Sequence, residues 1–120
     1  MTRRSAIGAL PATVLLMLLA LTGCASSVSP VGDWGQVGPG QASLSISSDG
    51  SFSGTDGCNA VEGKGSISGD TFTFAPPEPG ANACFGVTPW LNLAHSAKVD
   101  GGKLVVYRTG GQQLGTLDRR

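Results

Sequence analysis

The 120-residue chain is short of charge, histidine and cysteine, and each shortage closes off a class of chemistry. Only 13% of the residues are charged, eight Lys and Arg against eight Asp and Glu. No stretch gathers the basic ones into the concentrated face that a nucleic-acid partner requires. His95 is the single histidine. No Gly-x-Ser-x-Gly elbow accompanies it, so a catalytic triad would have to be assembled in space with no signature along the chain. The cysteines are three, Cys24, Cys58 and Cys84, and none sits in a Cys-x-x-Cys spacing. A redox centre of that kind is therefore not expected. A zinc site on Cys58 and Cys84 would need two further ligands where only one histidine exists. The expectation is a non-enzymatic protein with no cofactor and no metal. Beyond the first 21 residues no apolar run approaches the roughly 20 residues that span a bilayer.

What is present starts with a leader. Arg3 and Arg4 give a positive start, Ile7 to Leu21 is apolar, and Leu21-Thr22-Gly23-Cys24 closes the segment with small residues before a cysteine. That order reads as a lipoprotein signal peptide over residues 1–23. Cys24 would then become the lipidated N-terminus, and residues 24–31 a short tether at the extracytoplasmic side of a membrane. An ordinary secretory signal with an incidental cysteine is the alternative. Thr2-Arg3-Arg4 resembles a twin-arginine signal, but Ala6 stands where a strongly apolar residue belongs, so general secretion is expected. Ala25 lacks the aspartate that often retains lipoproteins at an inner membrane. Without Arg3 and Arg4 the remainder keeps six basic residues against eight acidic ones, a net charge of −2.

Residues 32–120 make one small domain, marginal in size for a self-sufficient core. With Cys24 assigned to lipid, Cys58 and Cys84 form an even pair outside the cytosol. A structural disulfide is the favoured reading, and free buried thiols are the alternative. Nineteen glycines punctuate short runs rich in Val, Ile, Thr, Phe and Ser, the pattern of short strands and tight turns. Trp34 anchors a first strand, and Ala42, Leu44 and Ile46 alternate with polar neighbours in a second. Hairpins are expected across Asp49-Gly50, Gly69-Asp70 and Gly101-Gly102, with a last strand around Gln113 to Leu117. Thr88 as N-cap and Pro89 at the first helical position predict one short helix ending near Ala97. The sum is seven or eight antiparallel strands in a small barrel or sandwich.

The ordered set Trp34, Asp49-Gly50, Gly54, Gly57-Cys58-Asn59, Gly63 and Ala83-Cys84, followed by the closing strands Leu104–Tyr107 and Leu114–Leu117, resembles the META domain of HslJ-type heat-shock lipoproteins. The likeness covers nearly all of the chain after the leader. It implies a mainly β, antiparallel, barrel-like domain with one short helix, working in the cell envelope and linked with stress tolerance. It implies no reaction. Members commonly carry a longer helix with a glutamate after the second cysteine. Phe85 to Ala97 contains no acidic residue, so no role of that glutamate carries over.

Among individual residues, Asn59 reads as a turn residue that bonds local backbone or takes a left-handed conformation, and Asp56 as a turn closer. Phe85 and Trp90 are the candidate binding patch, with capping of a barrel end as the plainer role. The expected function is a lipid-anchored envelope module that supports envelope integrity or stress tolerance by binding an envelope component, a protein partner among the candidates. An inhibitor of a secreted protease or lysozyme is the alternative, with the stiff Pro76–Gly80 loop as its inserting element.

Overall fold

The computed structural model describes residues 28–76 and 82–120. The leader, Cys24 and residues 25–27 lie outside the described residues, as do residues 77–81, most of the proline-rich stretch. Eight strands follow the alternating sequence: β1 (Gly32–Gly35), β2 (Ser43–Ile46), β3 (Ser51–Thr55), β4 (Ala60–Ser68), β5 (Thr71–Phe74), β6 (Ser96–Asp100), β7 (Lys103–Tyr107) and β8 (Gln113–Asp118). Each pairs antiparallel with the next, so spatial order equals chain order around one sheet. The ends then meet. Trp34 bridges to Arg119, and the Arg120 N–H donates to the Asp33 carbonyl at 2.9 Å, turning the sheet into a nearly closed barrel.

Period-two alternation decides what faces inward. In β2, Leu44 and Ile46 are buried while Ser43 and Ser45 are only partly covered. In β5, Phe72 and Phe74 point in and Thr73 out. Trp34, fully buried, fills the middle of the barrel beside Leu44, Leu104, Val106 and Leu117. Its indole N–H donates to the Pro30 carbonyl at 2.8 Å, so the one polar atom of the ring is satisfied. Phe52, Phe72 and Phe74 meet edge-to-face with centroids 4.8–5.8 Å apart.

β4 is longer than the Gly65–Ser68 stretch that alternation marks, because it turns the barrel corner. Its first half pairs with β3 and its second half with β5. The turn needs a missing side chain. A Cβ on Gly65 would sit 2.4 Å from the Phe72 ring and 2.4 Å from the Thr73 carbonyl oxygen. The apolar periodicity breaks at Glu62-Gly63-Lys64-Gly65 for this reason.

The expected helix is a correction in extent. It is a single 3-10 turn, Leu91–Leu93, with Trp90 at its N-cap and no side-chain cap, so Thr88 does not serve as one. The His95 N–H donates to Tyr107 and the Phe74 N–H to His95, which draws the chain into β6 immediately after Ala94. Leu91 and Ala94 are buried together, as a shared face requires.

Candidate functional site

The tether side and the opposite end of the barrel differ sharply. The chain enters at Gly32, where Arg119 donates to the Ser29 and Val31 carbonyls at 2.8 and 3.2 Å and lays its guanidinium 4.0 Å over the Trp34 ring. Three residues on, past Gly35, β1 reaches the other end. A pocket of about 300 Å³ opens there, between the loop after β1, the β3–β4 turn, the strap of residues 82–90 and the outer part of β8.

The β3–β4 turn contributes Asp56 to the pocket and is held by local hydrogen bonds. The Asp56 carboxylate accepts from the Cys58 N–H at 2.8 Å and the Asn59 N–H at 2.6 Å, both on Oδ1. The Gly57 N–H donates to the Thr55 hydroxyl at 3.1 Å, and that hydroxyl donates to the Asn59 carbonyl at 3.2 Å. Gly57 takes φ +100°, and a Cβ there would lie 2.8 Å from the Gly40 carbonyl oxygen. Only glycine meets both demands.

The Gly57-Cys58-Asn59 motif then ties the strap down. Cys58 and Cys84 form the disulfide, with Cα atoms 5.7 Å apart. Asn59 departs from the expected local role and no non-glycine residue has positive φ among the described residues. Its side-chain amide reaches 23 residues along the chain, donating to the Asn82 carbonyl at 2.9 Å and accepting from the Asn82 N–H at 3.2 Å. Cysteine and asparagine thus hold the strap by one covalent bond and a two-point amide clamp. The Val87 N–H donating to Cys84 at 3.2 Å rounds its tip.

Trp90 and Phe85, expected as one patch, take different positions. Trp90 is partly buried, packs on the core, and lays its six-membered ring over Gly115 where a Cβ would be 2.9 Å from Cζ2. It forms a wall of the pocket. Phe85 is fully exposed at the strap tip, and Val37 is 78% exposed on the loop after β1. His95 is exposed at the start of β6, and among the described residues no three His, Cys, Asp or Glu side chains gather as a metal site would.

Asp56 is the residue whose weight the sequence understated. It is 2% exposed and lines the pocket, and its Oδ2 is buried with no hydrogen-bond partner among the described residues. Leaving such an acceptor unpaired costs about 1–3 kcal/mol, more when it is charged. Among the described residues no Lys, Arg or His lines the pocket, and the second carboxylate there, Asp118, is bonded to Lys103 Nζ at 2.6 Å. The remaining polar lining is amide and hydroxyl, from Gln36, Gln41, Thr88 and Thr116. The sequence signal was present in Asp56 directly before the Gly-Cys-Asn motif. What it could not reveal was β8 closing beside β1 to complete the wall.

A family model for the META domain matches residues 25–120. No curated protein and no solved structure matches the chain.

Proposed function

Because the chain belongs to the META domain family of lipoprotein and stress-related modules, we propose that it is a lipid-anchored, non-enzymatic HslJ-like module of the cell envelope. It supports envelope integrity under stress by binding an envelope component at the strap end of its barrel. The observation that carries this reading is the polarity of the barrel. The tether enters at Gly32, and the pocket with its strap lies past Gly35, at the far end of β1. A domain held by lipid at Cys24 would present that end away from the bilayer, toward the envelope space. The exposed apolar side chains Phe85, on the strap, and Val37, on the loop after β1, suit a protein contact, since aromatic anchors carry much of the energy of such interfaces.

Two experiments test the two halves. Cys24→Ala moves the protein from the membrane to the soluble fraction if the anchor is lipid, whereas unchanged fractionation sinks the anchoring half. Phe85→Ser together with Val37→Ser weakens capture of the envelope partner while leaving the thermal midpoint within about 2 °C, as fits exposed substitutions. Undiminished capture would move the contact to another surface.

A further inference from the structure

We propose that the barrel-end pocket is a receptor for an alkylammonium group, carried by a small amine or by a lysine side chain of a protein partner. The inference deepens the binding-module reading and rests on it. Three features converge. Asp56 carries a buried carboxylate oxygen with no partner among the described residues, while its other oxygen accepts from two backbone N–H groups. The pocket that Asp56 lines offers acceptors from Gln36, Gln41 and Thr88 but no basic side chain, so an anion would meet no counter-charge. Trp90 lines the same pocket and supplies an aromatic wall. A carboxylate and an indole lining one pocket are the groups that hold an ammonium, by a charge-assisted hydrogen bond from one and the ring quadrupole of the other.

Oδ2 is covered, so entry requires a local shift of the pocket lining, in which Gly86 and Thr88 are exposed. The ammonium then donates to Oδ2, and its alkyl chain lies against Val87 and Trp90.

The test is calorimetric titration of the full chain, purified in detergent, with n-butylammonium chloride and with acetyl-lysine-methylamide. Butanol and N-acetylglucosamine are the neutral comparisons. Expected are saturable binding of the ammonium probes, at least tenfold weaker binding of butanol, and loss of affinity as NaCl is raised. The lysine derivative binding at least as tightly as butylammonium identifies a protein side chain as the source, and the reverse order a small amine. Asp56→Asn keeps the Oδ1 acceptor of the turn and is expected to weaken the ammonium at least tenfold. If its thermal midpoint falls, the wild-type comparison of butylammonium with butanol decides alone. Equal affinity for butanol, tighter binding of N-acetylglucosamine, no saturation, or an unchanged affinity in a folded Asp56→Asn each overturns the assignment. Partner capture that persists after such a failure leaves the binding-module reading standing and removes only the ammonium.

Discussion

At the scale of single residues, Gly57 has the least freedom to change. It combines φ +100° with a backbone oxygen 2.8 Å from where a Cβ would go. Gly57→Ala is expected to cost about 1–3 kcal/mol through backbone strain alone, and urea denaturation measures it. Asn59→Ala removes the two-point clamp on Asn82 and leaves the turn's own hydrogen bonds in place. Asp49 shows the opposite case, an exposed residue with local consequences. The Ser51 hydroxyl and then its N–H bond to the Asp49 carboxylate and hold it below the usual carboxylate range. A depressed folded pKa contributes stability that is present above the unfolded value and lost as pH falls through the folded one. Full exposure keeps the effect small, so the direct check is titration of the Asp49 carboxyl by NMR. It should rise toward the ordinary value in Ser51→Ala, and no change would refute the assignment. Asp49-Gly50 was legible in the sequence as a turn, and Asp56-Gly57 likewise. Asn59 was misjudged because its partner lies 23 residues away, beyond what local spacing encodes.

At the scale of elements, the strap of residues 82–90 has no regular structure and depends on its fastenings. The disulfide closes a loop with a sequence separation of 26, worth roughly 3–4 kcal/mol in the chain-entropy model. Reduction, or the pair Cys58→Ser and Cys84→Ser, should lower the urea midpoint accordingly while the far-ultraviolet spectrum of the strands survives. A spectrum that collapses would mean that the strap is part of the core. Gly115→Ala gives a more local reading. It drives a methyl into the Trp90 ring and should shift Trp90 fluorescence. The strands were legible because apolar residues alternate in β2, β5 and β6. Of the helix, its shortness was legible but its extent was not, since Thr88-Pro89 carries a starting signal while the pairing of Ser96 and Ala97 with β5 and β7 claims the residues that would extend it.

At the scale of the whole molecule, closure joins the two ends of the fold. Arg119 binds two carbonyls of the entering chain and stacks on Trp34, so one residue at the end of the sequence fastens the tether to the core. Arg119→Ala is expected to cost about 1–3 kcal/mol from lost hydrogen bonds and cation–π contact, read by thermal denaturation. Nothing local in the sequence around Arg119-Arg120 marks the return of β8 to β1. The same closure completes the pocket past the end of β1 opposite to where the tether enters, and binding there is the central claim of the functional reading. It is tested most directly by photo-crosslinking in living cells, with a photoreactive residue placed at Phe85 in one strain and at Val28 in another, both exposed positions. The account predicts a discrete adduct with one envelope component from Phe85, absent from Val28 and diminished when Cys58 and Cys84 are replaced by serine. An adduct from Val28 alone, or none from Phe85, would contradict it.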